Sequence, residues 1–66
     1  MSAHYTYIDD SGMEYFVYRL VGGAYGIYCA RGRRTPLPYV NDTFKTAEQA
    51  QVRLNAIAAE MGWGQK

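Results

Sequence analysis

Apolar and polar positions divide the chain into two halves with different periods. From Thr46 to Gly62, TAEQAQVRLNAIAAEMG, the apolar residues recur at helical spacing. At about 100° per residue, Ala47, Ala50, Leu54, Ile57, Ala58 and Met61 fall on one stripe, which predicts an amphipathic helix lying on a core. Both ends are marked. Thr46 and Gln49 form a T-x-x-Q capping box. Gly62 suits the left-handed position that ends a helix, with Trp63 folding back on Ile57 or Ala58. The alanines raise helicity and permit close approach to a sheet.

The first half reads as strands. HYTYI at His4–Ile8 is rich in β-formers, and Met1–Ala3 before it is expected to fray. Asp9-Asp10-Ser11-Gly12 is a turn whose short polar side chains bond their own backbone. MEYFVYRLV at Met13–Val21 is the clearest strand. Gly22-Gly23 is a tight-hairpin signal, and AYGIYCA at Ala24–Ala30 is the return strand. A two-residue Gly22-Gly23 loop would pair Val21 with Ala24, Leu20 with Tyr25, Tyr18 with Ile27 and Phe16 with Cys29. That register predicts a helix-facing set of Phe16, Tyr18, Leu20, Tyr25, Ile27 and Cys29, with Tyr18 and Tyr25 at its rim. Tyr15, Val17, Arg19, Gly26, Tyr28 and Ala30 then take the other face. For the first strand, an even-length loop puts Tyr5 and Tyr7 on the core face and an odd-length loop puts Ile8 there.

RGRRTPLPYVND, Arg31–Asp42, reads as a connection, because Pro36 and Pro38 forbid central pairing. Leu37, Tyr39 or Val40 can add a short edge strand. Phe44 is expected to plug one end of the core, and Gln65-Lys66 to form a polar tail. The expected fold class is α+β: one domain over residues 1–66, a three-stranded antiparallel meander packed on one C-terminal helix over residues 46–62 (βββα), with room for a fourth edge strand.

At 66 residues a single modest core is possible, so each large apolar side chain counts. No apolar run approaches the ~20 residues needed to span a bilayer, so no membrane partner is expected. The first residues, MSAHYTYIDD, lack the basic and apolar regions of a signal peptide. One cysteine, Cys29, excludes an internal disulfide, and the expected compartment is the cytoplasm. The formal charge is +1, which by itself favours no class of partner. Seven tyrosines all precede the helix, more hydroxyls than a small core hides easily.

Four features carry candidate chemistry. Arg31, Arg33 and Arg34, with Lys45 near in sequence, form the basic cluster and suit phosphate or acidic-protein contacts; arginines also keep a sheet edge soluble. Tyr15, Val17, Arg19 and Tyr28 are expected on the sheet face away from the helix, where aromatic residues stack on bases, anchor a protein interface or simply pair across strands. Val52, Ala56 and Ala59 line the helix side opposite its core stripe and read as ordinary exposure. Asp9 and Asp10 read as turn residues rather than a catalytic pair. His4 and Cys29 supply at most two metal ligands where zinc needs three or four, so no metal, cofactor or catalytic residue is expected. GGAYG lacks the Gly-Lys-Ser/Thr ending of a phosphate loop, and no small-molecule substrate is evident.

The layout resembles the arm-type DNA-binding domains of phage integrases, in which Y-x-V-Y-R-like strands precede a basic segment and an F-x-T-x-x-x-A helix start. The matching positions are Tyr15–Arg19, Arg31–Arg34 and Phe44–Ala50. That resemblance implies a sheet entering a DNA groove, with base or phosphate contacts from Arg19, Arg31, Arg33 and Arg34. The same layout is also similar to small phage-encoded inhibitors of the anti-CRISPR kind, which block a host complex by docking on it. The near-neutral charge and tyrosine-rich sheet suit protein hot spots better than duplex DNA. The expected function is therefore a non-enzymatic module that binds a protein partner, or a second copy, through Tyr15, Val17, Arg19, Tyr28, Arg31, Arg33 and Arg34. DNA binding through the same surface is the alternative.

Overall fold

The computed structural model describes residues 4–66, so the expected fraying of Met1–Ala3 lies outside the described residues. The elements run β1 (Tyr7–Ile8), β2 (Glu14–Arg19), β3 (Tyr25–Ala30), β4 (Leu37–Phe44), α1 (Ala47–Met61) and β5 (Gly64–Gln65). They form one antiparallel sheet in the order β4-β3-β2-β1-β5, with α1 packed on one face. The α+β class is as expected, but the sheet has five strands where the sequence predicts three.

Both additional strands lie at the sheet's edges. The short edge strand for which the connection left room at Leu37, Tyr39 or Val40 is the eight-residue β4, which runs past Asp42 to Phe44, and Pro38 pairs opposite Tyr28. An edge is where a residue without an N–H is tolerated. The register shifts midway: Thr43 sits opposite Gly26, yet Pro38 sits opposite Tyr28, so β4 carries extra residues between them. As a result Tyr39 and Val40, adjacent in sequence, both reach the helix side, Tyr39 against Tyr15 and Val40 against the buried cluster. At the other edge Gly64–Gln65 pairs with β1, and the Lys66 N–H donates to the Thr6 carbonyl at 2.7 Å. The expected polar tail is a strand, helped by an ion pair of Lys66 Nζ with Glu14 Oε2 at 2.9 Å.

The β2–β3 register differs from the expected one by a single residue. Tyr15 pairs with Cys29, Val17 with Ile27 and Arg19 with Tyr25. The Leu20 N–H donates to Ala24 O at 2.8 Å, so the loop has three residues, Val21-Gly22-Gly23, with both glycines at positive φ (96° and 86°). Side chains alternate along a strand, so this slip turns β2 over relative to β3. Tyr15 and Val17, expected on the uncovered face, point to the helix, whereas Phe16 and Tyr18, expected in the core, point away. Ile27 and Cys29 keep the helix side. The β1–β2 loop has the odd length, yet Tyr7 rather than Ile8 is buried, because β2 itself is turned over.

The buried cluster comprises Tyr7, Tyr15, Ile27, Leu54 and Ala58, with Ile27 and Leu54 fully enclosed. Phe44 packs against it, as expected. The helix starts at the predicted cap: Thr46 Oγ1 accepts from the Gln49 N–H at 3.1 Å, while Gln49 Oε1 accepts from the N–H of Lys45, one residue before the cap, at 3.3 Å rather than from Thr46 itself. It stops at Gly62, φ 78°, with the Gly62 and Trp63 N–H groups both donating to the Ala58 carbonyl. The Trp63 ring then turns to the sheet and stacks on Tyr15, centroids 3.7 Å apart and planes within 6°. The stripe is rotated slightly from its expected position. Gln51 is buried, whereas Met61 is 58% exposed.

Candidate macromolecular interface

Two layers leave one sheet face without a helix. Alternation from Tyr15 and Val17 places Phe16, Tyr18 and Leu20 there, and pairing with β3 adds Tyr28 opposite Phe16. The rings form a continuous row. Phe16 and Tyr18 meet edge-on at 6.1 Å, and Tyr18 stacks on Tyr28 at 4.8 Å. Gly26 provides the floor: a Cβ there would lie 3.1 Å from Tyr28 Cε1 and 3.4 Å from Leu20 Cδ1. Tyr28 and Leu20 thus lie down over bare backbone, and Tyr18 stays 42% exposed.

The arginines sit at one end of this sheet, in the turn between β3 and β4. Arg31, Arg33 and Arg34 are all exposed, and the Arg34 N–H donates to Arg31 O at 3.2 Å. Arg31 Nη2 donates to Ser11 Oγ at 3.0 Å, and Ser11 Oγ donates to Asp9 Oδ1 at 2.7 Å, tying the turn to the β1–β2 loop. Lys45 does not join the cluster, because the eight residues of β4 separate it from the turn. Arg19 is also elsewhere. It lies on the helix side at the far end of β2, lining a cleft of about 280 Å³ with His4, Tyr25, Ala47 and Gln51.

Of the residues expected at the site, Tyr28 lies on the open face, and Arg31, Arg33 and Arg34 lie in the turn at the end of the sheet, where Arg31 and Arg34 also line a cleft with Met13, Cys29 and Leu37. Tyr15 and Val17 belong to the core and Arg19 to the cleft. Sequence reasoning assigned Phe16, Tyr18 and Leu20 to the core. The signal that would have placed them correctly was the loop length at Val21-Gly22-Gly23, which a pair of glycines alone does not settle.

Asp9 is a structural hub. Its Oδ1 accepts from the Ser11 N–H, the Ser11 hydroxyl and the Met13 N–H, and its Oδ2 accepts from the Tyr15 hydroxyl at 2.7 Å. The Ser11 hydroxyl first, and then Tyr15, hold its carboxyl down at about 2. Burial, with the bond to Asp9, pushes the Tyr15 phenol up beyond its ordinary range. The pair acts as a turn lock, as the sequence reading of Asp9 implies. A second hub was not foreseen: Asn55 Oδ1 accepts from the Tyr7 hydroxyl at 2.7 Å and from Gln51 Nε2 at 2.8 Å.

His4 and Cys29 line separate clefts. Among the described residues no three His, Cys, Asp or Glu side chains gather as a metal site, and no helix is long and apolar enough to cross a membrane. No family model matches the chain, and neither a curated protein nor a solved structure shows significant similarity to it.

Proposed function

We propose that the chain is a non-enzymatic interaction module that docks a protein partner on its open sheet face, with the Arg31–Arg34 turn at the rim. The observation that carries this reading is the unbroken row of Phe16, Tyr18 and Tyr28 with Leu20, lying on a face that no element among the described residues covers. Rigid aromatic residues beside arginine are the composition of protein hot spots. The exposed arginines favour a partner with an apolar patch flanked by acidic residues. A net charge of +1 gives little long-range attraction to a nucleic acid.

The test compares the wild-type chain with a Tyr18→Ala/Tyr28→Ala variant and an Arg31→Ala/Arg33→Ala/Arg34→Ala variant. Each is assayed for capture of a defined partner and for binding to single- and double-stranded DNA at low and moderate salt. Capture lost in the tyrosine variant and only weakened in the arginine variant supports the protein reading. Binding to DNA that falls steeply with salt and vanishes in the arginine variant would replace it with nucleic-acid recognition.

A further inference from the structure

A small pocket of about 170 Å³ opens beside the arginine turn on the helix side of the sheet. Met13, Cys29 and Leu37 give it an apolar floor, and Arg31, Arg34 and Thr35 stand around it. Leu37 is 64% exposed, an apolar side chain left at the surface with unused contact area. The charge on the rim is only partly engaged, by the bond from Arg31 Nη2 to Ser11 Oγ. Among the described residues the ion pair present is Lys66 with Glu14, so neither Arg31 nor Arg34 has a carboxylate in direct contact. Asp9, the carboxylate that Ser11 links to Arg31, is already committed to Ser11, Met13 and Tyr15.

An apolar recess lined by two arginines suits an anion with an apolar body, and guanidinium matches the planar fork of a carboxylate. The volume lies below the ~300–1,000 Å³ of ordinary small-molecule sites, which limits the occupant to one residue-sized group. A single residue that carries both an apolar side chain and a carboxylate is the last residue of a peptide chain.

We propose that this pocket holds the C-terminal residue of a partner polypeptide, its side chain on Met13, Cys29 and Leu37 and its free carboxylate between Arg31 and Arg34. The proposal deepens the docking reading above and rests on it for the nature of the partner. It concerns the opposite side of the sheet from the aromatic row, so Tyr18→Ala/Tyr28→Ala reports on the row alone and the preference for acid over amide reports on the pocket alone, Arg31 and Arg34 being common to both.

The experiment titrates the intact protein with acetyl-leucine, acetyl-leucinamide and a short peptide ending in leucine, followed by amide-proton NMR at low salt. Saturable shifts at Cys29, Arg31, Arg34 and Leu37 are expected with acetyl-leucine, and binding at least about tenfold weaker with the neutral amide. The peptide should bind at least as tightly as acetyl-leucine. Arg31→Gln/Arg34→Gln should abolish the preference for the acid, and Tyr18→Ala/Tyr28→Ala should leave it unchanged. Equal response to acid and amide, shifts that do not saturate, or a preference that survives the arginine change would overturn the proposal. Tighter binding of acetyl-leucine than of the peptide would reassign the pocket to small carboxylates. Failure here leaves capture by the aromatic row intact, and loss of that capture leaves the acid titration intact.

Discussion

Asp9 and Tyr15, bonded to each other, make the fold depend on pH at both extremes. The Asp9 carboxyl sits at about 2 in the folded chain against an ordinary 3.8, so the folded state favours the ionised form. Its stabilising contribution is complete above the ordinary value, declines as pH falls and is gone below about 2. Tyr15 has the opposite sign. Its phenol is raised from 10.0, chiefly by burial, so the unfolded chain ionises first and stability is lost as pH rises beyond that value. Melting curves across pH should therefore show an acid limb that Asp9→Asn removes. Retention of that limb in the variant would transfer it to another carboxylate. Leu54 is the other residue on which much depends. It is fully enclosed between helix and sheet, and Leu54→Ala should cost about 2–5 kcal/mol, comparable with the whole stability of so small a domain. Urea denaturation would read this directly.

At the scale of elements, what was legible followed locality. The helix was legible to within a residue, because capping box, stripe and terminal glycine all lie within its own segment. Thr46→Ala should remove about 1 kcal/mol through loss of the bond to Gln49. Chemical denaturation of the single variant checks the figure. The hairpin register was not legible. Two adjacent glycines fit either a two- or a three-residue loop, and the choice is made by Tyr15 and Val17 packing against the helix rather than by the turn. β4 was obscured by Pro36 just before it and Pro38 within it, which an edge tolerates. β5 has no strand-forming residue and exists because Trp63, anchored on Tyr15, delivers Gly64 and Gln65 to β1. Removing Gly64–Lys66 should leave the helix intact while amide exchange quickens at Thr6 and Ile8. Unchanged exchange there would show that β1 needs no cover on that edge.

Across the whole molecule, the slip of one residue decides what the surface is. It buries Tyr15 and exposes Phe16 and Tyr18, so the aromatic face expected from the sequence is present but built from the other set of β2 residues. Only Tyr28 and the arginine turn belong to both versions, because β3 keeps its expected orientation. The open face contributes little to the core. Tyr18→Ala/Tyr28→Ala should shift stability by no more than about 1 kcal/mol while abolishing docking, a separation that thermal melting and partner capture would establish together. Large unfolding of that variant would instead make the row a structural device. Gly26→Ala offers a gentler probe, since its methyl must lift the Tyr28 ring off the backbone without touching the buried cluster.

The Tyr15–Trp63 stack has an optical consequence. Trp63 is the one tryptophan in the chain, and it lies parallel to a tyrosine at 3.7 Å, where the helix end meets the sheet. Two aromatic chromophores held so close in one fixed arrangement sit in an asymmetric environment, which gives circular-dichroism intensity in the near ultraviolet. Its amplitude tracks the seating of the helix end on the sheet, independently of backbone signals. The molecule thus carries its own label: an undocked helix end would erase that intensity while the helical signal persists.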